Sequence, residues 1–224
     1  MADRAQQRIV DISHVIEEGM TTYKGLPGPH ICDFWSREAS AANYDDGSTF
    51  QIGKIEMVAN TGTYIDAPFH RYEDGADLAD LPINSLADVP AVVLRRPFEE
   101  GLATAAAAFS GLDVRGKAVL VHTGWDRHWR TDAYLSDNPF LTADAAEWLA
   151  ATGALLVGID SHNIDDIRVR ARPVHTILLG AGIPICEHMT GLGELPDDGF
   201  RVSAVPPKVR GMGTFPVRAY AVLG

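Results

Sequence analysis

The sequence predicts an α/β fold, one domain with a mixed, partly parallel central sheet flanked by helices. Three observations carry this prediction. Strand, helix and strand alternate from Lys117 to Ile185, the order that lays helices on the faces of a partly parallel sheet. The strand candidates are short runs rich in Val, Leu and Ile bounded by Gly or Pro, as strands buried on both faces require. The chain has 224 residues without repeats or a low-complexity linker, which suits a single domain over residues 1–224.

Arg8 to Ser13 alternates like a first strand. Thr21 to Pro29, rich in Gly and Pro, must be loop. The apolar run Ile52 to Ala59 reads as a strand, and if the chain stays extended beyond it, Asn60, Gly62, Tyr64 and Asp66 share one face. Asp74 to Pro90, interrupted by Pro82, reads as a connecting excursion. Further strands are expected at Ala91 to Arg95, Lys117 to His122 and Ala154 to Asp160, while Ala105 to Ala108 is helix-compatible. Thr142 suits the N-cap of a helix over Ala143 to Ala151, with Asp144 near the positive end of the dipole and Gly153 just past the last turn. Pro173 suits the first position of a second helix, Pro173 to Leu179, which Gly180 or Gly182 closes. The apolar run Ile183 to Cys186 precedes Glu187, and Phe200 to Leu223 supplies further strands that close the sheet.

Composition excludes several classes of function. Lys plus Arg total 19 against 30 Asp plus Glu, a net charge of -11, so the chain repels phosphate backbones and nucleic acid is a poor partner. No apolar run approaches the ~20 residues a membrane helix requires. Cys32 and Cys186 form no C-x-x-C pair, which suits a reducing cytoplasm. Met1 to Arg8 lacks the apolar core of a signal peptide. A soluble, cytoplasmic protein acting on a small molecule is expected. The glycine pairs never extend to G-x-G-x-x-G, and no G-x-S-x-G, H-E-x-x-H or P-loop occurs.

The stretch N-T-G-T-Y-I-D-A-P-F-H, Asn60 to His70, aims a carboxamide, a phenol and a carboxylate together beside an imidazole. Convergent polar groups of this kind need a metal, a substrate or each other as partner. The stretch resembles the signature H-x-G-T-H-x-D-x-P-x-H of the cyclase family of metal-dependent hydrolases, to which kynurenine formamidase and isatin hydrolase belong. Gly62, Thr63, Asp66, Pro68 and His70 match. Asn60 and Tyr64 stand where the family has its first two metal-ligating histidines. Further similarity lies in A-R-P-V-H-T-I-L-L-G-A-G-I-P-I-C-E-H-M-T-G-L from Ala171, T-G-W at Thr123 to Trp125, Leu141 to Asp160, and G-T-F-P-V-R-A from Gly213.

The resemblance implies a cyclase-like fold of the swivelling β/β/α type, a homodimer or homotetramer, and His70 as catalytic base. It also implies that Asp66 binds metal and that His175 and Glu187 complete a second metal position. A neutral carboxamide and an unionised phenol are poor ligands, so the full binuclear site of the family is not expected. Asp66, His175 and Glu187 could hold one divalent ion, Mn, Mg or Zn, weakly or not at all. Catalytic candidates are therefore His70, Asp66, Tyr64, Asn60, Glu187 and His175. The activity implied is hydrolysis of an amide or lactam C–N bond in a small aromatic or carbonyl compound, as an arylformamidase performs. Two alternatives stand beside it: metal-independent cyclisation or dehydration in secondary metabolism, and a degenerate, non-catalytic binding protein. Without a metal, Asp66 and Glu187 brought close would raise one carboxyl pKa, and Tyr64 would serve a developing oxyanion.

Phe34, Trp35, Trp125 and Trp129 are candidate pocket walls. His162 could line the pocket or face solvent. His14, His30, His122, His128 and His188 carry no spacing that argues for ligation.

Overall fold

The computed structural model describes residues 7–224. Most of the polar N-terminal stretch read against a signal peptide thus lies outside the described residues. Thirteen strands and three helices follow one another: β1 (Arg8–Asp11), β2 (His30–Trp35), α1 (Arg37–Ser40), β3 (Ile52–Glu56), β4 (Tyr64–Asp66), β5 (Val89–Arg95), β6 (Ala103–Thr104), β7 (Ala118–His122), β8 (Phe140–Leu141), α2 (Ala143–Thr152), β9 (Leu156–Ile159), α3 (Pro173–Gly180), β10 (Ile185–Glu187), β11 (Phe200–Ser203), β12 (Thr214–Pro216) and β13 (Tyr220–Leu223). Nine of the strands form one sheet in the order β1-β13-β11-β5-β7-β9-β10-β4-β12. Its centre, β5 to β10, is parallel, and both flanks are antiparallel. The expected mixed α/β sheet is what the chain builds.

Alternation along the central strands explains the two-sided core. Ala91 and Val93 of β5, with Ala118 and Leu120 of β7, face one apolar cluster, while Val92, Leu94, Val119 and Val121 face the other. Both faces of a parallel sheet must be covered, which is why these runs are apolar until Arg95 and His122 at their ends. Leu149 of α2 and Val174 and Leu178 of α3 cover the second face. Helix α2 ends at Gly153 in the left-handed conformation, φ 85°, as expected of a glycine past a helix. Thr142 occupies the N-cap position, yet its hydroxyl bonds the Thr104 carbonyl at 3.2 Å instead of a helical N–H.

Three expectations need correction. The strand expected over Ile52 to Ala59 ends at Glu56, and it does not join the main sheet. It pairs antiparallel with β2 as a separate two-stranded arm exposed on every residue but Cys32. Second, the chain is not extended from Asn60 to Asp66. Gly62 turns it at φ 65°, a conformation that a side chain there would strain. Only Tyr64 and Asp66 keep the alternation. Third, the C-terminal strands divide. β11 and β13 sit between β1 and β5, whereas β12 crosses to the opposite edge beside β4.

Candidate active site

Sheet register builds the floor of the site. In the β10–β4 pair Glu187 lies opposite Tyr64, and in the β12–β4 pair Thr214 lies opposite Asp66. Residues directly opposite share a face, so Glu187, Tyr64, Asp66 and Thr214 all project from the side that α3 covers. His175, in the first turn of α3, hangs above them. The result is a cavity of about 250 Å³ lined by Tyr64, Asp66, His70, His175 and Glu187, with Asn60, Asn163, Tyr23, Leu26, Arg71 and Arg172 around its mouth and wall. All six catalytic candidates border this one void.

His175 is held most firmly. Its Nδ1 stands 2.6 Å from Asp165 Oδ2, and the same carboxylate accepts the N–H groups of Val174 (2.7 Å) and His175 (3.1 Å). Asp165 thereby does two tasks at once. It caps a helix whose own cap position, Arg172, offers no side-chain acceptor, and it supplies the negative charge that an imidazole at a helix N-terminus otherwise lacks. With Nδ1 engaged, Nε2 faces Asp66 Oδ2 at 3.6 Å and Glu187 Oε1 at 3.5 Å. Burial alone would depress the His175 pKa. The charge of Glu187, the Asp165 hydrogen bond and Asp66 outweigh it and raise the imidazole to about 10.

Glu187 is pinned at both oxygens: Ile164 N–H donates to Oε1 at 2.7 Å and the Tyr64 hydroxyl to Oε2 at 2.6 Å. Burial pushes its pKa up, with Asp66 reinforcing and His175 opposing. Tyr64 is raised well above a phenol's usual value by burial and by the Glu187 and Asp66 charges, so it stays protonated. Its proton is committed to Glu187, which corrects the expectation that it serves an oxyanion. Asn60 stands beside this hydroxyl.

Asp66 accepts a hydrogen bond from Thr214 at Oδ1, and its buried Oδ2 has no hydrogen-bond partner. His70 follows on the short turn Pro68–His70, with Nδ1 2.9 Å from Thr214 Oγ1 and 3.6 Å from Asp66 Oδ1. Gly213 lets the backbone of this turn approach β12, because a Cβ there would lie 2.4 Å from the His70 backbone nitrogen. Asp66, His70 and His175 each offer one ligand atom within 4.8 Å of the others. An unpartnered carboxylate oxygen, two imidazoles and a third buried acid form a donor set that suits a divalent cation. Glu187, expected as a ligand, lies beside this set with both oxygens already engaged.

The aromatic walls are not those expected. Phe34 and Trp35 lie on the exposed arm. Trp125 is buried with its Nε1 donating to the Tyr134 carbonyl at 3.2 Å, and Trp129 stacks on His14 at 3.9 Å. Tyr23 and Leu26, from the loop after β1, take their place. His162 neither lines the cavity nor meets solvent; it is buried against Tyr23, Tyr134 and His188. Asp165, Thr214, Arg71 and Arg172 escaped the sequence reading. Asp165 alone left a trace there, since a helix beginning R-P without a capping side chain needs an acceptor from elsewhere.

Known proteins share this frame. A kynurenine formamidase from Erythrobacter litoralis (strain HTCC2594) is 26% identical over 206 residues, spanning 92% of this chain and 89% of that protein. One from Bacillus cytotoxicus is 28% identical over 211 residues, spanning 94% and 95%. Among solved structures, an isatin hydrolase bound to the product analogue thioisatinate superposes with a TM-score of 0.84 at 21% identity, over 98% of this chain and 93% of that one. A "potential metal-dependent hydrolase with cyclase activity" gives 0.78 at 27%, over 96% and 98%. Residues 10–166 match the family model described as "Putative cyclase", and with the fold and the Asn60–His70 signature already in place, this chain belongs to the cyclase family.

Proposed function

We propose that the protein hydrolyses the amide or lactam C–N bond of a small aromatic substrate, with Asp66 and His175 holding one divalent ion beside Glu187 and with His70 as the base. The carrying observation is electrostatic. His175 Nε2 lies 3.6 Å from the unpartnered Asp66 Oδ2 and 3.5 Å from Glu187 Oε1, an arrangement that suits a cation at its centre. A bound ion would supply Lewis-acid polarisation of a carbonyl and a lowered pKa for water. The kynurenine formamidase relatives and the metal-dependent hydrolase neighbour support the same reading.

The chain's own groups supply the rest. His70, with Nδ1 on Thr214, keeps Nε2 free to take a proton from attacking water and return it to the departing amine nitrogen as the C–N bond breaks. Asp165 holds His175 in one tautomer and one orientation, the carboxylate–histidine support common to metal ligands. Tyr64 and Ile164 immobilise the Glu187 carboxyl under the reacting centre. The cavity of about 250 Å³ lies below the ~300 Å³ at which pockets for drug-sized ligands begin, so the substrate is small.

A second reading draws on His175 raised to about 10: with a proton in place of a metal, it forms an acid between two carboxylates, suited to cyclisation or dehydration. Formanilide hydrolysis before and after EDTA separates the two. Loss on chelation and recovery with Mn²⁺ or Zn²⁺ supports the hydrolase; activity indifferent to EDTA overturns the metal's part.

We further infer that copies of the chain assemble through the arm. Phe34 is 68% exposed and Ile55 47%, beside Ile31, Trp35 and Ile52, an apolar surface that contact with a second copy would cover. Cys32 and Cys186 are free thiols, which fits residence in a reducing cytoplasm. Among the described residues, no helix is long and apolar enough to cross a membrane.

A further inference from the structure

The cavity is polarised from floor to mouth. Its floor carries Asp66 and Glu187, whereas its mouth carries two guanidinium groups, Arg71 and Arg172. Neither arginine lies within ion-pair distance of a carboxylate among the described residues, unlike Arg95, Arg127 and Arg168, which all reach one. Both are nevertheless held in place. Arg172 donates from one terminal nitrogen to the carbonyls of Asp166 (2.8 Å) and Val169 (2.6 Å), and Arg71 donates to Thr176 Oγ1 (3.2 Å) and the Ala171 carbonyl (3.3 Å). All four acceptors are neutral, so the positive charge is positioned but not cancelled. Tyr23, from the loop opposite, stands beside Arg172.

We propose that this mouth is a carboxylate subsite, and that the substrate of the hydrolysis inferred above is an amide bearing one carboxylate. Guanidinium forks bind planar carboxylates through paired, charge-assisted hydrogen bonds, and here two arginines line the same void. A carboxylate anchored at the mouth directs the other end of a small molecule to Asp66, His70 and His175. The same polarity disfavours a dianion such as a phosphate, which the floor carboxylates would repel. The inference rests on the hydrolase reading for its substrate class, but the subsite can be measured without turnover.

The test uses formanilide and its three ring carboxylates, 2-, 3- and 4-formamidobenzoate. For at least one carboxylate, kcat/KM should exceed that of formanilide by about tenfold or more, and in Arg172→Gln and Arg71→Gln that ratio should fall toward one. Arg172→Lys should restore part of it, since charge returns without the fork. Equal kcat/KM across the four compounds, or a ratio unchanged in both variants, overturns the proposal. Turnover of none of the four removes the hydrolase reading instead. Titration calorimetry with benzoate and benzamide then decides the subsite alone. Preference for benzoate that both Gln variants lose supports it; no preference in the wild type overturns it. Arg71 is exposed, so its variant stays informative if the Arg172 variant misfolds.

Discussion

The floor of the cavity and the β2–β3 arm invert the usual partition of residues in opposite ways. Around Asp66 and Glu187, carboxylates and imidazoles are sealed from water by β4, β10 and α3, with Asp66 at 0% exposure. On the arm, Ile31, Phe34, Ile52 and Ile55 lie open to solvent. Burying charge without compensation and exposing contiguous apolar surface are both unfavourable, so each region is complete only with something added. The proposed cation and substrate would answer the first, and the proposed second copy of the chain the other.

Substitutions test the two halves of this contrast separately. The largest effect is expected from Asp66→Asn, which keeps the shape and removes the charge. Hydrolysis should fall by about 10³ or more, with metal content lost and the melting temperature held or raised, because the buried charge whose Oδ2 has no hydrogen-bond partner is removed. Cooperative unfolding of that variant at room temperature would make the buried acid structural. His70→Ala should lower kcat by at least ~10² while metal-free stability is retained, and a variant with wild-type turnover would remove His70 from proton transfer. Elemental analysis after dialysis should find no more than one ion per chain; two retained ions would show that Asn60 and Tyr64 ligate after all.

On the arm, Phe34→Asp combined with Ile55→Asp should weaken self-association at least ~10-fold by sedimentation, and an unchanged sedimentation coefficient would assign the arm another partner. A separate expectation is a dependence of stability on pH. Burial, reinforced by the Arg172 charge, lowers the His162 pKa to about 4, and burial, reinforced by His162 and His14, depresses His188 well below 6.5. Both therefore fold neutral, and the unfolded chain binds more protons between pH 6.5 and about 4. Stability is full above 6.5 and declines as pH falls through that window, by at most about 1.4 kcal/mol per pH unit for each histidine. Urea titrations of wild type and His162→Gln check this; parallel pH profiles would show that His162 does not contribute.

Regions differ as sharply in how far they could be read from the sequence. β5, β7 and β9 were legible because a strand covered on both faces leaves a continuous apolar run, and α2 and α3 because Gly153 and Pro173 punctuate them. The stretch β2, H-I-C-D-F-W, mixes polar and apolar residues without a strict period and so left no such mark. The extended run from Asn60 to Asp66 failed at Gly62, where the turn is stabilised by packing against Ile16 and by Thr22, which accepts from its N–H at 2.9 Å. Nothing local to the motif encodes either neighbour.

The chain's own order of residues determined the fold class, the signature around Asp66 and His70, and the chemical kinds of groups available, because periodicity and residue type are local properties. Tertiary structure alone decided that Glu187 stands opposite Tyr64, that Thr214 bridges Asp66 and His70, that Asp165 holds His175, and that Arg71 and Arg172 share a mouth. Each of these joins residues brought together by sheet register or helix docking. Register is set by packing summed over the whole sheet, and no spacing along the chain records it.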